Sequence, residues 1–302
     1  MRLGFEWQLR TRSLTLGPQT LIMGIVNVTP DSFFEGGRFP SAHAAVHHAM
    51  LLLEEGADII DVGGESTRPG ARVAPGGGST ATVSAEEELR RVLPVIEGIR
   101  SRMPEALISI DTYKATVARA AVAAGAEIIN DISALRWDTE MPKAAADLHC
   151  GVVLTHMRGR PEEWKSLPSL DGGVVALVCR ELGEWASTAE SAGIAHNRIV
   201  IDPGYGFGKI LDDNYPLLAR LGELQRLGFP ILAGTSRKSF VGRTVSRTKD
   251  PVPVEQRLHG TMATVAASIL MGAHIVRVHD VAAARETAVV CDEILRAGSE
   301  HA

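Results

Sequence analysis

The sequence predicts a (β/α)8, or TIM, barrel of the α/β class, and three observations carry that prediction. Short apolar runs alternate eight times with Ala- and Leu-rich stretches of helical period along 302 residues. Each run is nearly continuous in Ile, Val and Leu, as in parallel strands covered on both faces. Polar residues close the runs: Asp111, Asn130 and Asp202 stand at carboxyl ends, with Asn27, Asp61, His156, Lys238, Arg277 and His279 in equivalent places. Convergence on one rim is what a barrel with its site at the C-terminal face produces.

Residues 1–20 precede the first run and are expected to form a β-hairpin closing the barrel bottom. The runs themselves fall at 21–26, 58–62, 107–111, 126–130, 151–155, 198–202, 229–233 and 274–279. Between them, 42–55, 86–102, 114–124, 173–192 and 257–271 read as helices. Gly56, Gly125, Gly193 and Gly272 follow four of these, each suited to the left-handed position that ends a helix. Glu86, Glu87 and Glu88 after Ser84 read as a helix start with its dipole complemented, not as a catalytic carboxylate cluster. An open, doubly wound sheet would call for a Gly-rich fingerprint after the first strand, and none occurs there. No linker divides the chain, so residues 1–302 are read as one domain. The one break in composition, 70–84 with Pro75-Gly-Gly-Gly-Ser-Thr80, reads as a long mobile loop after the second strand.

Composition narrows the function classes. Hydrophobic residues make up 45% and charged residues 22%, enough for a full core. A net charge of −5 argues against a broad nucleic-acid footprint or an anionic-membrane surface. Cys150, Cys179 and Cys291 lack metal-ligand spacing and read as reduced, buried thiols. The first residues carry no secretory signal, and no apolar run approaches the ~18 residues of a membrane helix. A cytoplasmic chain is expected.

The strand ends carry the chemistry. Asn27, in Gly24-Ile-Val-Asn27-Val-Thr-Pro-Asp31, places an amide oxygen where it can ligate Mg²⁺ together with phosphate oxygens and water; the same residues also suit an Asn/Pro turn. Phe33 and Phe34 sit in a Gly-flanked loop, either packing on the barrel or closing over a ligand. Arg68, in Asp61-Val-Gly-Gly-Glu65-Ser-Thr67-Arg68-Pro69-Gly70, offers a planar fork for phosphate or carboxylate, or is a surface arginine. Two aspartates and an asparagine, Asp111, Asn130 and Asp202, can together hold the adjacent N–H donors of a 2-amino-4-oxo ring, or each satisfies backbone amides in a neighbouring loop. Gly204-Tyr-Gly-Phe-Gly208-Lys209 lacks phosphate-loop spacing and reads as backbone room beneath a ligand, with Phe207 as a stacking wall. Ser236 and Lys238 follow strand seven, while Arg277 and His279 share one side of strand eight. The loops there are a recurrent phosphate site in barrels. Arg68, Arg277 and His279, with Asn27 holding Mg²⁺, then form an anion pocket. His43 and His47 have the i, i+4 spacing of a zinc site but lack a third ligand.

Together these segments resemble the dihydropteroate synthase family closely: 25–33, 61–71, 109–112, 129–132, 202–209, 236–238 and 277–280, spanning nearly the whole barrel. The resemblance implies condensation of 6-hydroxymethyl-7,8-dihydropterin diphosphate with p-aminobenzoate in folate biosynthesis, with Mg²⁺ required, sulfonamides as inhibitors and a homodimeric assembly. Carried over by motif, Asp111, Asn130, Asp202, Phe207 and Lys238 hold the pterin, and Asn27, Arg68, Arg277 and His279 hold the diphosphate. Phe33, Thr67, Pro69, Ser236 and Lys238 frame p-aminobenzoate. Asp111, Lys238, Arg277 and His279 are the residues expected to carry catalysis. Two features depart from the family: Thr155 stands where many relatives have methionine, and the 70–84 loop is long. Three rivals remain open on the residues: a corrinoid methyltransferase domain sharing the pterin contacts, a Schiff-base aldolase using Lys238, and a pterin sensor without turnover.

Overall fold

The computed structural model describes residues 2–28, 40–65, 83–164, 166–168, 170 and 173–299. The chain opens with β1 (Phe5–Gln8) and β2 (Ser13–Leu16), an antiparallel hairpin. Then come β3 (Leu21–Asn27), α1 (Pro40–Glu54), β4 (Ile59–Gly63), α2 (Ala85–Arg102), β5 (Ile108–Asp111), α3 (Ala115–Ala123), β6 (Ile128–Asp131), α4 (Met141–Leu148) and β7 (Gly151–Thr155). The remainder is α5 (Val174–Ser191), β8 (Ile199–Asp202), α6 (Leu211–Ala219), β9 (Leu232–Ala233), α7 (Ser239–Thr244), α8 (Leu258–Leu270), β10 (Ile275–Val278) and α9 (Val281–Ser299).

Strands β3 to β10 form one parallel sheet in the order β8-β7-β6-β5-β4-β3-β10-β9. An Ile201–Ile231 bridge brings the chain before β9 alongside β8 and closes the barrel. The expected strand at 229–233 is regular over only two residues. Pro230 has no N–H to donate, so this stretch offers its carbonyl to Ile201 N (3.0 Å) and joins the ladder only beyond the proline. Ser84 caps α2 as expected, its hydroxyl accepting from Glu87 N at 3.1 Å.

Alternation along the strands sorts the barrel interior into an apolar floor and a polar rim. Met23, Ile59, Leu107, Ile128, Val153, Val200, Leu232 and Ile275 meet at the floor, where Trp7, Leu9 and Leu16 of the hairpin segment plug it. Trp7 Nε1 donates to the Arg198 carbonyl at 2.8 Å, fixing the plug. Two residues further along, the same phase presents Asp61, Ser109, Asn130, Thr155, Asp202 and Arg277. The register pairs Asp61 with Ser109, Gly63 with Asp111, Asp111 with Asn130 and Thr155 with Asp202. The larger apolar core lies outside the barrel, between strands and helices.

Candidate active site at the barrel rim

Arg277 bridges two carboxylates on neighbouring strands. Its Nε reaches Asp61 Oδ2 at 2.6 Å, and its Nη2 reaches Asp111 Oδ2 at 2.7 Å. Asn130 Nδ2 donates to the same Asp61 oxygen at 2.9 Å, which leaves its Oδ1 as the acceptor for a ligand N–H. Asp61 is fully buried, and its Oδ1 has no partner among the described residues. Burial pushes the Asp111 carboxyl up to about 7; Arg277 opposes the shift, and Asp61 adds to it.

Across the rim, Asp202 Oδ1 accepts from Gly204 N at 2.7 Å. Burial raises its pKa, against the pull of that N–H and of the Lys238, Lys209 and Arg277 cations. A Cβ on Gly234 would lie 3.7 Å from Asp202 Oδ2 and 3.9 Å from Arg277 Cβ, so the acid and the arginine face one cavity. Lys238 Nζ stands 3.8 Å from the Phe207 ring centroid, and burial pushes it down to about 8 despite Asp202 nearby. Ser236 Oγ lies 3.0 Å from His279 Nδ1 and accepts from His279 N at 3.2 Å. Arg237, at φ 57, pairs through both arms with Asp280 and locks these two loops together. Burial, with Arg237 and Arg277 adding, pushes His279 down to about 3. That shift disfavours the charged ring, and the Ser236 contacts give it a hydrogen-bonding role.

Residues 23–279 match the family model described as "Pterin binding enzyme". A dihydropteroate synthase of Escherichia coli strain K12 is 46% identical over 276 residues, covering 91% of this chain and 92% of that protein. Two solved structures superimpose closely. A Xanthomonas albilineans dihydropteroate synthase in complex with 7,8-dihydropteroate gives a TM-score of 0.81 at 43% identity, covering 96% of this chain and 98% of the other. A Yersinia pestis dihydropteroate synthase with a sulfonamide drug complex gives 0.86 at 39%, covering 97% and 100%. This chain belongs to the dihydropteroate synthase family.

Several residues expected from the family pattern can be placed. Asn27 ends β3 opposite Gly63, on the rim with Asp111. It offers one amide oxygen, and among the described residues no group of three or more His, Cys, Asp or Glu could hold a metal. That donor set fits an Mg²⁺ ion that shares its shell with phosphate oxygens. Phe33, Thr67, Arg68 and Pro69 lie outside the described residues, as do Phe34 and most of the 70–84 loop. His156 is a correction. Thr155 faces the barrel interior, so the next side chain turns outward. His156 stacks on Trp185 (centroids 5.1 Å apart) and places Nε2 3.0 Å from Glu181, a packing role outside the cavity. His43 contacts Arg102 at 3.3 Å on the surface.

Phe207 was read in the sequence as a stacking wall, but the rest of the apolar wall at the mouth was missed. Tyr113, Ile132 and Met157 cluster there with Trp137, Trp164 and Phe207. Tyr113 meets Trp137 edge-on at 5.1 Å, and Trp164 lies 6.0 Å from Phe207. The signal was available. Tyr113, Ile132 and Met157 each stand two residues beyond an inward-facing polar position (Asp111, Asn130, Thr155), so the strand phase carries them over the same cavity. A flat ring gripped at its edge by the acids would lie against this wall.

Proposed function

We propose that this chain joins 6-hydroxymethyl-7,8-dihydropterin diphosphate to p-aminobenzoate, forming 7,8-dihydropteroate and releasing diphosphate in folate biosynthesis. The observation that carries this reading is the single cavity in which Arg277 bridges Asp61 and Asp111 while Asp202 and Lys238 face them. Asp111, Asn130 and Asp202 accept the N–H groups along the pterin edge, and Lys238 donates to its carbonyl side. Phe207 and the apolar wall hold the ring faces.

The bond to diphosphate breaks at a carbon attached to an electron-rich ring, which delocalises the developing positive charge. Asp111, in its carboxylate form and close to that ring, stabilises the cationic character. Arg277, with Arg68 and the His279 ring, binds the departing anion. When bound with the diphosphate, Mg²⁺ would supply further stabilisation of its negative charge, held by Asn27. The aniline nitrogen attacks unaided by a strong base, so the substitution is dissociative and has no covalent enzyme intermediate. Phe33, Thr67, Pro69, Ser236 and Lys238 frame p-aminobenzoate, and sulfonamides compete there.

The chain is further proposed to be cytoplasmic and homodimeric. No helix among the described residues is long and apolar enough to cross a membrane. Exposed Leu270 and Met271 at the end of α8, with Val289, Val290 and Ile294 on α9, supply apolar surface for a second copy. Light scattering at the mass of a dimer supports that assembly, and a monomer mass opposes it. The activity is tested by following diphosphate on mixing both substrates. Release that requires p-aminobenzoate is expected. Pterin binding without release would favour a sensor or a corrinoid methyltransferase domain. Borohydride trapping of Lys238 with a carbonyl substrate would favour an aldolase.

A further inference from the structure

Beneath the glycine loop 204–208 sits a cation that the reaction does not use. Lys209 Nζ is buried and donates to three backbone carbonyls: Gly204 at 2.8 Å, His156 at 3.1 Å and Phe207 at 3.3 Å. Two of these belong to the loop after β8 and one to the chain after β7. The chain after β7 also donates two backbone hydrogen bonds across the gap, His156 N to Asp202 O at the end of β8 (2.8 Å) and Arg158 N to Phe207 O (3.4 Å). They press together so closely that a Cβ on Gly204 (φ +64) would collide with the His156 carbonyl oxygen, and one on Gly208 (φ +66) with that of Arg158.

Carbonyl oxygens converging in a dry pocket repel one another unless a donor lies between them. A methionine would fill the Lys209 space without the cost of burying a charge, but it would leave these oxygens unbridged. Burial, with Lys238 and Arg158 nearby, pushes Lys209 down to about 7, while the Asp202 and Glu181 carboxylates favour its charge. The three carbonyl acceptors act in the same direction as those carboxylates. The loop so held carries Phe207, whose ring faces both Lys238 and Trp164.

We propose that Lys209 is a positioning residue for the pterin pocket: its ammonium clips the loop after β8 to the chain after β7 and thereby sets where the Phe207 ring stands against Lys238. This assignment rests on the pterin reading given above. The experiment measures binding of 7,8-dihydropteroate to the full chain by titration calorimetry, with melting temperatures recorded in parallel. Lys209→Met is expected to weaken binding about tenfold, whereas in a Phe207→Ala background the same change costs less than about threefold, because Lys209 acts through that ring. Unchanged affinity with a lowered melting temperature would reduce Lys209 to a structural prop and overturn the proposal. So would an equal loss in both backgrounds. Should Lys209→Met not fold, Lys209→Gln carries the same comparison, its shorter amide bridging fewer of the carbonyls and giving a smaller, still Phe207-dependent loss. Wild-type protein that bound no 7,8-dihydropteroate would overturn the pterin reading together with this one. Normal wild-type binding beside unaltered variants overturns this one alone.

Discussion

At the scale of residues, the site is a set of opposed charges whose proton affinities bring their ionised forms together over a narrow pH range. Burial pushes Asp111 up to about 7, so its carboxylate forms only as pH rises through that value. Burial pushes Lys238 down to about 8, so its ammonium is lost as pH rises further. If the pterin needs both charges, kcat/KM for pterin diphosphate climbs toward pH 7 and falls beyond pH 8, since that ratio reports groups of the free enzyme. Asp111→Asn should abolish the acid limb along with most of the rate, and Lys238→Arg should move the alkaline limb upward. An alkaline limb that stays in place in Lys238→Arg would assign it to another group. Arg277 admits a second expectation. Arg277→Met leaves buried Asp61 and half-buried Asp111 without their shared cation, which is expected to cost about 3 kcal/mol of stability in urea unfolding. It should also weaken diphosphate-bearing ligands more than a pterin lacking the tail, and equal losses would remove Arg277 from the anion pocket. Asp111, Asn130, Asp202 and Arg277 were legible as strand-end residues, because the β period alone sets which way they face; Lys238 instead lies five residues beyond β9 as the N-cap of α7, where the loop places it. What the sequence could not disclose is that Arg277 gives its Nε and Nη2 to two acids, or that burial pushes His279 down. Those are properties of side chains meeting from distant strands.

At the scale of elements, the alternation of apolar runs and helical stretches disclosed all eight barrel strands and the floor hairpin. β9 was overdrawn because Pro230 cuts the ladder. Helices α4, α6, α7 and α9 drew no expectation. Two are short, and Pro216 lies within a third; local period is a weak signal over six to nine residues, and packing on the barrel decides those three, whereas α9 runs 19 residues and its omission has no such reason. His156 was misplaced for a related reason: one residue past an inward-facing position, the strand period turns the side chain away from the cavity. The hairpin lends itself to a test of its role as a plug. Trp7 is fully buried among floor residues from every barrel strand. Trp7→Ala is expected to cost about 3–5 kcal/mol in denaturant unfolding, from lost burial and the cavity left behind. Because the floor and the rim are opposite ends of each strand, kcat/KM of the folded fraction should match wild type. A large change in kcat/KM would mean that the floor sets the geometry of the rim.

At the scale of the whole molecule, the barrel separates stability from chemistry: apolar layers hold the fold, and the rim charges are arranged for a ligand that brings its own counter-charge. This bears on the metal. Among the described residues no group of three or more His, Cys, Asp or Glu could hold a metal, and Asn27 contributes a single amide oxygen. Mg²⁺ should therefore bind the free protein weakly and join the site mainly through diphosphate oxygens. An ion present near its dissociation constant stabilises a fold by only about 0.4 kcal/mol. Chelation is thus expected to slow turnover severely while leaving the melting temperature of the free protein essentially unchanged. Mg²⁺ and pterin diphosphate added together should raise the melting temperature by more than the sum of their separate effects, because each binds better once the other is present. Scanning calorimetry across the four combinations measures that coupling. Strictly additive shifts would show that the two do not share a site, and a large fall on chelation alone would reveal a metal built into the fold.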